Sequence, residues 1–242
     1  MTFIINNSSF ALVLAAGLGT RLLPLTKTTP KPLIEVRGKS MLERVCAELY
    51  LAGFRHIIIN THHLHSQIEQ SVGQLGLLFP EATFYICHEP QILDVGGAIK
   101  NAALKYNITE LLVYNCDILV LGGKQYLEAI TTTWNPEKMD ALLYLKDKSQ
   151  VHNRPGHGDF NISHENVLSR NLDLSSNQYI YTGISIYKTR PVINIPLKTF
   201  NIMHHYVFPG LDNGKFYGLT ADFDFIDIGS LDNLAYAREA IT

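Results

Sequence analysis

The sequence has no large excess of charge of either sign, no apolar run long enough to cross a bilayer, one tryptophan and only three cysteines. A formal net charge of −2 leaves no basic footprint for nucleic acid or an anionic membrane surface, so any phosphate must be held by local groups. Cys46, Cys87 and Cys116 are odd in number and widely spaced. They form neither a disulfide framework nor a zinc pattern, which fits a reducing cytoplasm. Residues 1–10 have no basic start followed by an apolar core, so no secretory signal is expected, and Asn6-Asn7-Ser8-Ser9 reads as a short polar tail. With 46% hydrophobic and 17% charged residues the chain is not disordered, and 242 residues suffice for one good core.

What is present is concentrated in residues 12–33. An apolar run, Ala11 to Leu14, has the length of a buried strand and empties into Ala15-Ala16-Gly17-Leu18-Gly19, a loop almost without side chains. Backbone N–H groups of such a loop can approach an anion closely, because Gly17 and Gly19 carry no Cβ and tolerate positive φ. Thr20 follows, and then two cations, Arg21 and Lys31, the lysine stiffened by Pro30 and Pro32. The stretch reads as a polyphosphate cradle or, more plainly, as a structural turn. It is not a Walker loop, since it ends Gly-Thr-Arg, and not a dinucleotide fingerprint. Leu22 stands where the third glycine belongs, and Thr61-His62-His63 where an acidic residue belongs.

The rest of the first half alternates helix and strand. Ser40 to Glu43 forms a capping box before a helix whose apolar face is Leu42, Val45, Cys46 and Leu49, ending at Gly53. His56–Asn60 reads as a strand, and 66–72 as a helix opened by Ser66 and Glu69. Strands at 83–87 and 111–114 flank a helix at 97–104. This order predicts an α/β, Rossmann-like, three-layer fold, with a mostly parallel sheet flanked by helices and ligands at the strands' C-terminal ends. Asp117, directly after the strand at 111–114, is either a cap or a metal ligand at the sheet's rim. After 140–145 the strands shorten. A hairpin over 158–168 and a strand at 179–187 suggest antiparallel additions to the same sheet, a small lid region with a loop at 152–157. No linker appears, so 1–242 is expected to be one domain, with a core at 10–145 and a further part at 146–242 in the same sheet. Asp159 and the Thr182-Gly183 pair read as turn and strand packing. His62, His63 and His65, and the pair His204-His205, lack a second pair at metal spacing and read as loop histidines. Trp134 and Tyr181 read as packing.

Gly-Leu-Gly-Thr-Arg-Leu-Leu-Pro-Leu-Thr followed by Pro-Lys-Pro-Leu resembles the signature of the sugar-1-phosphate nucleotidyltransferases, and later motifs extend the likeness over nearly the whole chain. The resemblance implies a nucleoside triphosphate lying across Ala15, Ala16, Gly17, Gly19 and Thr20, with Arg21 and Lys31 as catalytic cations. It implies Asp117 and Asp227 as ligands of one Mg²⁺. It would make 10–145 the nucleotide-binding core, 146–242 the sugar-phosphate part, and Asp159 and the Thr182-Gly183 pair contacts of the sugar's hydroxyls. Asp227 matches the family's aromatic-x-Asp-Ile-Gly element, while Cys116 replaces the glycine usual before Asp117. Asp224 lies out of phase with Asp227 and should face the other way. Asn115 belongs to the same substrate rim, and Gly96 and Gly97 would let a base lie against the backbone, where a helix start capped by Asp94 is the simpler reading. The expected reaction is attack of a sugar 1-phosphate on the α-phosphorus, without a general base. The compact form, with Gly-His-Gly-Asp159-Phe160 and Tyr-Thr-Gly183-Ile-Ser, is most similar to the family branch using UTP and N-acetylmuramate α-1-phosphate in cell-wall sugar recycling. In that branch Asp94-Val95 is usually Glu-Thr. Mannose-1-phosphate guanylyl transfer or another hexose-1-phosphate nucleotidyl transfer, and a non-catalytic nucleotide-binding regulatory module, are the alternatives. No hexapeptide repeats follow, so neither an acetyltransferase fusion nor a longer guanylyltransferase is expected. Partners are the two substrates, without nucleic acid or membrane.

Overall fold

A computed structural model of the chain describes residues 9–122, 125–151 and 156–240; the tail at 6–8 and residues 152–155 of the expected loop lie outside the described residues. In chain order the main elements are β1 (Phe10–Leu14), α1 (Met41–Leu51), β2 (His56–Thr61), α2 (His65–Leu78), β3 (Thr83–His88), α3 (Asp94–Tyr106), β4 (Glu110–Asn115) and β5 (Ile118–Leu121). There follow α4 (Tyr126–Thr133), β6 (Ala141–Asp147), β7 (Asn161–Ile162), β8 (Leu168–Ser169), β9 (Tyr179–Lys188), β10 (Phe216–Thr220), β11 (Asp224–Asp227) and α5 (Leu231–Ala240). Hydrogen bonding orders seven strands β10-β6-β9-β4-β1-β2-β3, the mostly parallel sheet that the βα alternation predicts.

Two compact units share the chain. The first holds residues up to Ile92, Tyr114–Leu121 and Ile226 onward; the second holds Leu93–Val113 and Gly122–Phe225. In the first, β1, β2 and β3 run parallel, with Leu14 opposite Asn60 and Asn60 opposite Cys87. Leu12, Val13 and Ile57 to Ile59 are fully buried, which is why these strands read as continuous apolar runs rather than alternating ones. Helix α1 forms as its pattern dictates. The Ser40 hydroxyl accepts from the Glu43 N–H at 3.1 Å, and Leu42, Val45, Cys46 and Leu49 are at most 1% exposed. Gly53, at φ 92°, ends the turn. Each of these apolar side chains contributes roughly 1.5–3 kcal/mol.

Helix α2 departs from expectation. It starts at His65 after Leu64 in the left-handed conformation, with no side-chain cap, and Ser66 sits inside its first turn. The Leu64 carbonyl accepts from the Gln67 N–H, so the first turn is closed by backbone two residues ahead of the expected Ser66 cap. Ile68, Val72 and Leu75 bury one face and carry the helix past Gly73 and Gly76 to Leu78.

In the second unit β6 lies antiparallel to β9 and parallel to β10. The added strands are therefore not all antiparallel: the chain runs down β9, returns through residues 189–215 and enters β10 in the same sense as β6. The expected hairpin is smaller than predicted, with Ile162 opposite Leu168 and Asn161 opposite Ser169. Helix α3 begins at Asp94 rather than Gly97. Asp94 has φ 57°, and its carboxylate accepts from the Val95 N–H at 2.6 Å. Gly96 and Gly97 are buried in that helix against residues 198–200. A Cβ at Gly96 would stand 2.2 Å from the Phe200 ring, and one at Gly97 2.4 Å from the Lys198 carbonyl oxygen.

Ser40→Ala is expected to lower stability by about 1 kcal/mol, the usual worth of an N-cap, read as a shifted urea midpoint at unchanged slope. Gly96→Ala is expected to lower it by roughly 1–3 kcal/mol through overpacking. Combining Gly96→Ala with Phe200→Leu should cost less than the two single losses added; strict additivity would mean the two residues do not meet.

Candidate active site

The C-terminal ends of β1 and β4 meet within the first unit. The Cys116 N–H donates to the Leu14 carbonyl at 3.3 Å, and the Ile228 N–H to the Asp117 carbonyl at 2.8 Å. Backbone pairing thus brings the glycine loop, the turn after β4 and the segment after β11 around one cavity of about 250 Å³. Ala15, Gly17, Gly19, Thr20, Arg21, Lys31, Cys116, Asp117 and Gly229 all line it.

Gly17 has nothing within 4 Å where a Cβ would stand, so its open side faces the cavity. Gly19 needs its missing Cβ for two reasons. Its φ is 64°, and a Cβ would meet the Thr26 methyl at 2.7 Å. The Thr26 hydroxyl, fully buried, donates to the Gly19 carbonyl at 2.9 Å, and the Thr26 carbonyl is in turn 2.9 Å from His63 Nε2. Ala16 is buried beside Ala15. The Ala15 N–H points away from the cavity chemistry expected of it: it donates to Asn60 Oδ1 at 2.6 Å.

One of the two cations is ion-paired within the site. Lys31 Nζ forms an ion pair with Asp117 Oδ2, their side chains 14% and 27% exposed. A Cβ placed on Gly229 would lie 2.6 Å from an Arg21 guanidinium nitrogen and 2.8 Å from Asp227 Oδ1, so the second cation stands beside the second carboxylate. Asp227 is further framed by Asn233, whose amide donates to its carbonyl at 2.8 Å, and Ser230 caps α5 through the Asn233 N–H at 3.3 Å. Cys116, in the place of the family's glycine, is absent from the residues with positive φ, so the turn needs no glycine here. Burial pushes its thiol pKa well up, and the nearby Cys46 and Asp117 add to this against a smaller opposing effect of Lys31. The group at this position is a neutral thiol, neither a nucleophile nor a soft metal ligand at neutral pH. Asn115, at the end of β4, is partly exposed.

In the second unit, Asp159 accepts from the Tyr181 N–H at 2.9 Å. The Thr182 hydroxyl donates to the Tyr144 carbonyl at 3.1 Å and has no exposed surface. Gly183, at φ 90°, sits where the β9–β6 register shifts between Tyr181 and Ser185. Their own chain already uses these groups as strand and turn packing. At Gly96 and Gly97 the position a Cβ would take is filled by Phe200 and by the Lys198 carbonyl, which accounts for glycine at both without a ligand. Asp224 is paired with Lys146 at 3.1 Å, and Lys146 also donates to the Phe223 carbonyl.

The expected loop histidines have ordinary partners: His62 Nδ1 lies 2.7 Å from the Glu89 carbonyl, and His65 3.2 Å from Glu69. Trp134 donates to Glu110, and Tyr181 is hydrogen-bonded to Ser185. The sequence reading assigns no role to three residues that shape the site: Thr26, Asn60 and Glu89. Each had a signal: Thr26 closes the signature that begins at Gly17, Asn60 is an amide closing the run Ile57-Ile58-Ile59 at a strand's C-terminal end, and Glu89 lies in the segment before α3.

The nucleotidyl transferase family profile matches residues 10–153. An N-acetylmuramate alpha-1-phosphate uridylyltransferase from Neisseria meningitidis serogroup B is 33% identical, over 74% of this chain and 74% of its own length. The enzyme of the same name from Caulobacter vibrioides is 28% identical over 80% of this chain and 81% of its own. A mannose-1-phosphate guanylyltransferase catalytic subunit beta from Danio rerio is 25% identical over 90% of this chain and 61% of its own. The solved structure of HddC from Yersinia pseudotuberculosis complexed with GMP-PN shares the fold, at TM-score 0.78 and 24% identity over 97% of this chain and 100% of that one. With its glycine loop, Arg21, Lys31, Asp117 and Asp227 gathered in one unit and a family match over more than half its length, the chain belongs to the nucleotidyl transferase family and is a sugar-1-phosphate nucleotidyltransferase.

Proposed function

We propose that the chain transfers a uridylyl group from UTP to N-acetylmuramate α-1-phosphate, releasing pyrophosphate, in the recycling of cell-wall sugar. The observation that carries the chemistry is the cavity that gathers the glycine loop, two cations and a carboxylate at the strand ends. What supports the choice of base and sugar is the pair of similar uridylyltransferases. The three cysteines are all free and buried, which supports a cytoplasmic setting.

The triphosphate lies along residues 15–20, and the open side of Gly17 leaves room for a phosphate oxygen. Arg21 offers a planar fork and Lys31 a mobile point charge to the phosphates. The acceptor phosphate is mostly dianionic at neutral pH, since a phosphate monoester's second pKa is about 6, so no side chain has to remove a proton. Its oxygen attacks the α-phosphorus, the bond from that phosphorus to the bridging oxygen breaks, and pyrophosphate leaves with the electron pair. Positioning and the two cations do the protein's share of the work. Asp117 and Asp227 offer hard carboxylate oxygens that suit Mg²⁺. Held there, the ion would neutralise charge developing on the phosphates.

Pyrophosphate release across UTP, GTP, CTP and dTTP, against N-acetylmuramate, N-acetylglucosamine, glucose and mannose 1-phosphates, is expected to be confined to UTP with N-acetylmuramate 1-phosphate. GTP with mannose 1-phosphate would move the protein to guanylyl transfer, and tight nucleotide binding without turnover would make it a regulatory module. Asp117→Asn is expected to lower kcat by roughly 100-fold or more, the scale of losing a main electrostatic contact in the transition state. Near-wild-type turnover with Mg²⁺ would remove Asp117 from the metal site.

A further inference from the structure

Asn60 and Glu89 are buried, 5% and 1% exposed, at the C-terminal ends of β2 and β3. They form a two-step relay: the Ala15 N–H donates to Asn60 Oδ1 at 2.6 Å, and Asn60 Nδ2 donates to Glu89 Oε1 at 2.9 Å. Glu89 is fixed by its backbone, its N–H donating to the Thr61 carbonyl at 2.8 Å and its own carbonyl 2.7 Å from His62 Nδ1. The polarity of the relay is set at its start. The Ala15 N–H can only donate, so the amide oxygen must face it, the amide NH₂ must face Glu89, and Glu89 must accept.

An apolar pair would fill the same volume without the desolvation cost of a buried carboxylate. What the polar pair adds is direction. The Leu14–Ala15 peptide has its carbonyl held by the Cys116 N–H and its N–H held by Asn60, so its plane is fixed at both ends. That plane sets where the next N–H groups, of residues 16–19, point as the chain enters the cavity.

We propose that Asn60 and Glu89 are positioning residues for the nucleotide, acting through Ala15 on the N–H groups that meet the triphosphate. The role rests on the reading of residues 15–20 as the nucleotide site. Asn60 and Glu89 touch no reacting atom in it.

The experiment compares wild type, Asn60→Asp, Glu89→Gln and the double variant by steady-state kinetics and by calorimetric titration with UTP. In Asn60→Asp two carboxylates face each other. In Glu89→Gln the amide oxygen of Gln still accepts from Asn60. In the double variant the bond returns with its polarity reversed: the Asp accepts from both Ala15 and the Gln NH₂. Asn60→Asp is expected to raise the nucleotide KM roughly tenfold, the scale of one lost charge-assisted hydrogen bond. The KM for the sugar 1-phosphate should stay within about twofold, and the double variant should return the nucleotide KM to within about threefold of wild type. A purely structural role would shift both KM values together and would give no rescue. An unchanged nucleotide KM in Asn60→Asp overturns the role. So does a double variant that folds yet binds UTP about tenfold more weakly than Glu89→Gln, a comparison that stands even where Asn60→Asp alone does not fold. A wild type that binds no nucleoside triphosphate overturns the nucleotide reading itself and this role with it; a wild type that binds UTP beside an unaffected Asn60→Asp overturns this role alone.

Discussion

The Leu14–Ala15 peptide is the constraint on which the site depends. A strand that ends in a glycine loop would fray there, because past the sheet edge its backbone groups lose their ladder partners. Here both groups of that peptide are caught, the carbonyl by the Cys116 N–H and the N–H by Asn60. The loop therefore leaves β1 in one direction. A nearly side-chain-free segment holds a shape that its own composition could not impose. Thr26 secures the far end by donating to the Gly19 carbonyl.

The charges around the cavity follow from that frame. Lys31 is ion-paired with Asp117, and Arg21 stands near Asp227 across Gly229. A partly exposed ion pair such as Lys31–Asp117 contributes little to stability, on the order of 1 kcal/mol or less. Its value to the proposed chemistry is preorganisation: two cations and two carboxylates are already gathered where the phosphates would bind. In the proposed reaction the protein needs no base and no nucleophile, and Cys116, with its pKa raised by burial, offers neither.

Glycine has several uses in this chain. Gly17 leaves space open, Gly19 adopts a left-handed turn against Thr26, Gly96 and Gly97 admit the segment at 198–200, and Gly183 takes up a register shift in β9. Only the first leaves room in the cavity for a ligand. For Gly96, Gly97, Thr182 and Gly183, the neighbours within their own unit account for the residue type.

The sequence by itself determined what depends on neighbours along the chain. Strand and helix identities in the first half, the Ser40 cap, the stop at Gly53 and the nearly side-chain-free loop at 15–19 followed by two cations are all local. They follow from periodicity, turn chemistry and charge type. The motif resemblance placed Asp117 and Asp227 together although 110 positions separate them. Only the tertiary structure decided the start of α2, where a left-handed Leu64 displaced the expected Ser66 cap, and the direction of β10, which depends on the path of residues 189–215. It alone decided that the Ala15 N–H is spent on Asn60, that Glu89 completes the relay, and that Thr182 turns its hydroxyl to Tyr144. The physical reason is the same in each case. A hydrogen-bonding group buried on folding must find a partner, and which partner it finds is set by strands adjacent in space, about which the local sequence carries no information.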